Sequence, residues 1–203
     1  MLSWFKGTEK DPARREMIEK GLGNVKYLVH TIESLLMVAR QEKHRIVLNK
    51  TDIDILALTE QAKQELAFLY PEKTKRVRVV NQLPEKCVVH ADAMYIENVI
   101  RNFLENALKY SDNDVEVTVT LAVKGERLVV SVKDTGWGIP RNCLKRLFTQ
   151  FYQVPRDADR ERKGYGIGLA QARYIIQEHR GEIRVTSEEN QGSTFSFTLP
   201  ILA

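Results

Sequence analysis

Cysteine is scarce in this chain of 203 residues: Cys87 and Cys143 are the only two, far apart and without partners at metal-ligand spacing. That argues against a disulfide-stapled scaffold or a cysteine-built zinc site, and a reduced pair is the expectation. Long apolar runs are missing too. None approaches the roughly 18 residues a membrane-spanning helix needs, and the opening MLSWF is too short for that or for a signal peptide. No internal repeat or low-complexity tract is visible. Charge is close to balanced, with 31 Lys and Arg against 27 Asp and Glu and a formal net charge of +4. With no basic stripe interleaved with aromatics, nucleic acid is not an expected partner.

What is present suits a globular protein: 43% hydrophobic and 29% charged residues. The length fits one large domain, or a domain of about 150 residues with an appendage. Asp11-Pro12 is a good helix start. After it, Leu22, Val25, Val29, Ile32, Leu36 and Ala39 recur at spacings of three and four, the seam of a bundle helix, and Leu28 and Leu35 widen the stripe. One such helix cannot hide its seam alone, so it implies a partner helix. Gly21 and Gly23 inside it cost about 1 kcal/mol each relative to Ala, which predicts a bent or frayed start.

Downstream, Arg45 to Lys50 reads as a short edge strand. Asp52 or Asp54 opens a second helix carrying Ile55, Leu58, Ala62, Leu66 and Leu69, ending before Pro71. Strands are expected at Arg76 to Asn81 and Cys87 to His90, then a hairpin from Val115 to Val123 and Arg127 to Lys133 around Lys124-Gly125. A short helix at Arg141 to Phe148, a polar loop from Gln153 to Lys163, a helix at Leu169 to Glu178 and a closing hairpin (Glu182 to Ser187, Ser193 to Leu199) follow. Mixed helices with hairpin strands favour an α+β two-layer sandwich over a doubly wound parallel sheet.

The chain is organised around Asn98 to Ser111, NVIRNFLENALKYS. At helical spacing Asn98, Asn102 and Asn106 share one stripe with Glu105 and Lys109, opposite Ile96, Val99, Ile100, Phe103, Leu104, Ala107 and Leu108. Asn is a poor helix former, so three of them a turn apart are costly unless something polar sits there. Amides can bind an anion and offer oxygen to a hard cation. The competing reading is a plain solvated face.

Two glycine-rich corners accompany that helix. Asp134-Thr-Gly-Trp-Gly-Ile-Pro follows a strand; Gly136 and Gly138 let the backbone turn and approach a flat ligand, and Asp134 offers an acceptor suited to an exocyclic amine. Gly164-Tyr-Gly-Ile-Gly-Leu-Ala leads into a helix and would present N–H groups where phosphate binds. It is neither a Rossmann fingerprint nor a P-loop. Gln191-Gly-Ser-Thr-Phe begins the last strand, where Thr194 is expected to complete a hydrogen-bond net around Asp134.

Together these residues resemble the catalytic, ATP-binding domain of two-component sensor histidine kinases, in the GHKL superfamily. The Asn helix resembles the N box, Asp134 to Pro140 the G1 box, Leu147-Phe-Thr-Gln-Phe-Tyr the F box, Gly164 to Leu169 the G2 box, and Gly192 to Phe195 the terminal G-x-T-F motif. The resemblance implies a GHKL-type sandwich, a mixed sheet covered by helices, over residues 47–203. It makes residues 1–46 part of a dimerisation and phosphoacceptor hairpin. It also implies ATP and Mg²⁺ as cofactors, with Asn106 as the metal ligand and Asn102 beside it. Lys109 and Tyr110 would meet phosphate and the outer face of the nucleotide. Asp134 would read the adenine amine, with Gly136, Gly138 and Ile139 around the ring. Phe148 and Phe151 would anchor an ATP lid at Gln153 to Lys163, in which Arg156, Arg160, Arg162 and Lys163 are candidate phosphate contacts partly cancelled by Asp157, Asp159 and Glu161. Gly164, Tyr165, Gly166, Ile167, Gly168, Leu169 and Thr194 complete the implied ATP site.

The same resemblance settles the histidines. An acceptor His would precede an acidic residue and then Thr-Pro on the first hairpin helix; His30 precedes Thr31-Ile32-Glu33 with no proline, and His44, His90 and His179 fit no better. The acceptor is therefore expected outside these residues, with Met1 to Phe5 as the stump of its helix in a truncated or engineered chain. Little or no self-phosphorylation is expected. Expected partners are a response regulator receiver domain and a second copy, through helix 12–43 when the hairpin is complete. The expected location is the cytoplasmic portion of a membrane-anchored sensor. A degenerate kinase acting as scaffold or phosphatase module would have lost Asn106, Asp134 or the G2 glycines, and none is lost. A gyrase- or chaperone-type ATPase would want Glu where Asn102 stands, to act as base on water.

Overall fold

The computed structural model describes residues 46–85, 87–155 and 165–201, with Arg14, Gly21, Val25 and Ile32 from the N-terminal region. By contact density the chain divides into two compact units, Met1–His44 and Arg45–Ala203. In the first, the four described residues are helical and exposed, Val25 and Ile32 among them. The rest of the expected seam, the helix start at Asp11-Pro12, Gly23, His30, His44 and the Met1 to Phe5 stump lie outside the described residues.

The second unit begins with an extended segment, Ile46 to Lys50, where an edge strand was expected. The reason lies in its hydrogen bonds. The N–H of Ile46 goes to the Tyr174 hydroxyl (3.4 Å) and that of Asn49 to Asp92 Oδ2 (2.8 Å), so neither is free for a ladder. The strand comes later, as β1 (Thr51–Ile53), antiparallel to β3 (Val89–Ala91) with Thr51 opposite Ala91. Between them lie α1 (Ile55–Leu66), α2 (Pro71–Thr74) and β2 (Val77–Gln82). Asp54 caps α1, its carboxylate accepting the N–H groups of Leu56 and Ala57 at 2.9 and 3.0 Å. The helix stops short of Leu69: the N–H groups of Leu69 and Tyr70 both return to Leu66 O, and Pro71 then forces a new start.

Asp92 caps α3 (Ala93–Lys109), and β4 (Val117–Lys124) and β5 (Arg127–Asp134) form the hairpin, turning at Gly125. The short α4 (Arg141–Leu144) gives way before Phe148 to turns bonded three residues back, such as Thr149 N–H to Arg146 O. Then come α5 (Gly168–Glu178), β6 (Glu182–Glu188) and β7 (Gly192–Pro200).

The five-stranded sheet runs β2-β4-β5-β7-β6, with β2 and β4 parallel and every other pair antiparallel. It is the mixed sheet of an α+β sandwich. Alternation assigns its faces: Val119 stands opposite Val132, and Val132 opposite Phe195, all buried, while their neighbours Thr118, Lys133 and Thr194 turn the other way. Onto the apolar face packs α3, its Phe103 ring 5.4 Å from Phe195 and 6.1 Å from Phe197. Burying this fully enclosed Phe is worth about 3–5 kcal/mol against Ala. The consequence for the site is orientation. With the apolar stripe committed to the sheet, the Asn stripe is held at a fixed angle.

Candidate functional site

The Asn stripe is divided by its bonds. Asn98 Oδ1 accepts from Arg101 Nη2 at 3.1 Å, which occupies that amide within the helix. Asn106 donates its Nδ2 to Asn102 Oδ1 at 3.2 Å, which leaves the Asn106 carbonyl oxygen as the outward acceptor of the pair. Opposite stands the first residue of α5. A Cβ built on Gly168 would lie 2.7 Å from Asn102 Oδ1 and 2.9 Å from its Cγ, so glycine lets the helix start come this close with the Asn102 amide in place. That start brings the positive end of the α5 dipole beside the Asn102 amide.

Beyond Lys109 the helix end meets the other corner. Tyr110 O accepts the Trp137 N–H at 3.1 Å, and Gly136 sits so near that a Cβ there would be 2.6 Å from the same carbonyl. Gly138 has φ +63 and abuts the Glu188 carbonyl, a place for no other residue, while Asn190 N–H reaches Trp137 O at 2.7 Å. Trp137, held at both its N–H and its carbonyl, is buried. The Lys109 ammonium lies 5.4 Å from the Tyr110 ring centre; burial pulls its pKa down and Glu105 pushes it back up.

Asp134 is buried at the end of β5. Its Oδ1 accepts the N–H of Gly136 at 2.8 Å and of Ser193 at 3.2 Å, and no described residue bonds Oδ2. Burial raises its pKa to about 6, against the lowering by those two N–H bonds. The partner is Ser193, not Thr194 as expected. Register places Ser193 opposite Asp134 and Thr194 opposite Lys133, so the Thr194 side chain projects from the other face of the sheet.

The remaining expected residues fall in two groups. Ile139 and Ile167 are buried, and Gly166 packs against the backbone of Phe151 and Tyr152. Phe148 and Leu169 are half-buried. Phe151 is 61% exposed, at φ +61, and the buried residue of that segment is Leu147; most of the lid that Phe151 was expected to anchor lies outside the described residues. Tyr165 is exposed as well. Arg156, Arg160, Arg162, Lys163 and Gly164 lie outside the described residues.

Residues 91–203 match the family model described as histidine kinase-, DNA gyrase B- and HSP90-like ATPase. The chain belongs to this ATPase family. Its relatives include the adaptive-response sensory kinase SasA of Crocosphaera subtropica, 33% identical over 172 residues that make up 84% of this chain and 44% of that one. The sensor protein RprX of Bacteroides fragilis is 32% identical over 87% of this chain and 34% of its own. This chain therefore spans less than half the length of both relatives. Full-length ShkA, solved with AMPPNP, shares the fold at a TM-score of 0.72 and 24% identity, covering 100% of this chain and 42% of that one. The unit is thus an ATP-binding domain of the histidine-kinase kind. Among the described residues no helix is long and apolar enough to cross a membrane.

The donor set fits the cation that the ATPase family uses with its nucleotide. Asn106 offers a neutral hard oxygen, and no described cluster of three His, Cys, Asp or Glu could cage an ion. Such a site suits Mg²⁺ held mostly by phosphate and water. Two residues that hold the helices of the site were not foreseen. Lys73 caps the end of α3, donating to Leu108 O at 2.8 Å and Ser111 O at 2.7 Å. His179 joins the other ends, its Nε2 accepting the Asp92 N–H at 3.0 Å while Nδ1 bonds Ile175 O at 2.8 Å. Neither has a local signature, because each partner is distant in sequence.

Proposed function

We propose that the chain is the ATP-binding catalytic part of a sensor histidine kinase, which transfers the γ-phosphoryl group to a histidine on another segment for relay to an aspartate of a response regulator. The observation that carries this reading is the meeting of three motifs: Asn102 against Gly168, and Tyr110 O bonded to the Asp134–Pro140 turn through Trp137. Asp134 Oδ2 would accept the adenine amine, with Gly136 against the ring. Asn102, Lys109 and the start of α5 would hold the phosphates, and Asn106 would ligate Mg²⁺. When bound, that ion would offset charge on the bridging and terminal phosphate oxygens.

Phosphoryl transfer asks the protein mainly for position and charge neutralisation. An imidazole nitrogen would form the new bond to phosphorus as the bond to the β–γ bridging oxygen breaks, ADP leaving with the electron pair. Neither described histidine fits that role: His179 is buried and bonded at both nitrogens, and His90 pairs with Asp52 at 3.0 Å on a strand. The acceptor on this reading belongs to a helical segment outside residues 46–201, and His30 lacks its sequence context. The response regulator and a second copy are the partners the reading implies. Titration calorimetry with magnesium and ATP tests it. Saturable heat at sub-millimolar to millimolar nucleotide is expected; a folded chain that gives none at millimolar ATP refutes the reading.

A further inference from the structure

The end of α3 is held by a side chain from an element that no motif includes. Lys73 sits on the four-residue α2, whose Thr74 hydroxyl is in turn bonded to Tyr70 O at 2.7 Å. Its Nζ reaches two carbonyls of one helical end, Leu108 O and Ser111 O, and Ser111 Oγ donates to Leu108 O as well, at 3.0 Å. A cation at these carbonyls satisfies groups the helix leaves open and complements its dipole. Ser111 is fully buried.

What this clamp fixes is the peptide between those carbonyls. Tyr110 O, lying between Leu108 and Ser111, accepts the Trp137 N–H, and a Cβ on Gly136 would lie 3.2 Å from Ser111 Cβ. The Gly136 N–H in turn bonds Asp134 Oδ1. A continuous run of contacts therefore leads from Lys73 through the helix end to the carboxylate, with Lys109 within that end and Asn106 one turn back on the same helix. We propose that Lys73 is a positioning residue for the nucleotide site, setting the register of the α3 end against the Asp134 turn without touching the ligand. This rests on the ATP-binding reading above. Mere stabilisation of the fold would leave the affinity of the folded protein unchanged; positioning does not.

The test compares Lys73→Met, Lys73→Gln and Lys73→Arg with Lys75→Met in the full chain. Lys75 is a control on the same stretch, pairing with Glu72 in solvent at 2.8 Å. Affinity is measured by calorimetry for magnesium with a non-hydrolysable ATP analogue, well below each melting temperature. Lys73→Met is expected to lose about tenfold, Lys73→Gln less, and Lys73→Arg to recover most of the loss, while Lys75→Met matches the parent chain. Amide hydrogen exchange at Trp137, which needs no nucleotide, should speed up in Lys73→Gln and Lys73→Met. Equal affinities in folded Lys73→Met or Lys73→Gln and Lys75→Met overturn the proposal, as does unchanged Trp137 exchange. A parent chain that binds no nucleotide sinks the ATP-binding reading instead, and Trp137 exchange still decides whether Lys73 holds the turn.

Discussion

Gly168 and Asn102 share one small space, and a Cβ on the glycine would stand 2.7 Å from the asparagine's amide oxygen. Gly168→Ala should therefore swing the Asn102 amide aside and break its bond from Asn106 Nδ2. Alanine is the better helix residue, so the melting temperature should hold or rise while ATP affinity falls about tenfold. Thermal denaturation together with calorimetry on one sample reads both. Wild-type affinity in the variant would show that the close approach has no bearing on the ligand.

Asn106 should matter only when magnesium is present. With its Nδ2 spent on Asn102, its oxygen is what remains for a cation. A fluorescent ATP analogue should bind the parent chain more tightly with magnesium than with chelator. In Asn106→Ala that difference should shrink to under about twofold, a change of less than 1 kcal/mol. A full magnesium effect in the variant would remove Asn106 from the metal.

Asp134 is held in a costly state. Its pKa of about 6 lies above the ordinary 3.8, so the folded chain binds a proton more readily than the unfolded one. The penalty is fully present above pH 6, about 3 kcal/mol, and is relieved as pH falls through 6 toward 3.8. Asp134→Asn keeps an oxygen for the Gly136 and Ser193 N–H groups and removes the charge. It should raise the melting temperature at pH 7 by several degrees, roughly 2–4 °C per kcal/mol, yet weaken ATP binding at least tenfold. In the parent chain an amine donor favours the carboxylate, so binding at pH 6 should release protons. Calorimetry in two buffers of different ionisation enthalpy measures this. A variant as tight as the parent contradicts the adenine role.

His179 works in the opposite direction. Burial holds its pKa below the ordinary 6.5, and Nε2 must stay unprotonated to accept the Asp92 N–H. Lys50 reinforces the lowering; Asp92, Glu178 and the Ile175 carbonyl oppose it. Its stabilising contribution is present above the unfolded value and lost as pH falls from about 6.5 through the folded one. Acidification therefore loosens the join between α3 and α5 while it relieves Asp134. Melting curves from pH 7.5 to 5.5 separate the two: His179→Gln should remove the acid-side loss, and Asp134→Asn should steepen it. An unchanged slope in His179→Gln counts against the assignment.

Labelled ATP should leave this chain unmarked. His90 is paired with Asp52 on a strand and His179 is enclosed, while His30 and His44 lack the acidic and Thr-Pro context. Mass spectrometry after incubation with γ-labelled ATP should find no phosphohistidine. A label on His30 would reverse the view of the N-terminal region.

The sequence determined whatever depends on near neighbours. The helical repeat alone put Asn102 beside Asn106 and Phe103 on a separate apolar stripe; an aspartate at 52 or 54 announced the first helix of the second unit as its cap; the strand alternation and the two glycine corners were readable in place. Tertiary structure decided what depends on partners far along the chain. Register chose Ser193 over Thr194 for Asp134, the bonds of Ile46 and Asn49 to Tyr174 and Asp92 moved the first strand to Thr51, and packing left Phe151 in solvent with Leu147 inside. Lys73 and His179, with no pattern around either, became clamps on the two ends of one helix. Periodicity and capping are encoded within a few residues, whereas a hydrogen bond across the fold exists only once the sheet has set the distance between its ends.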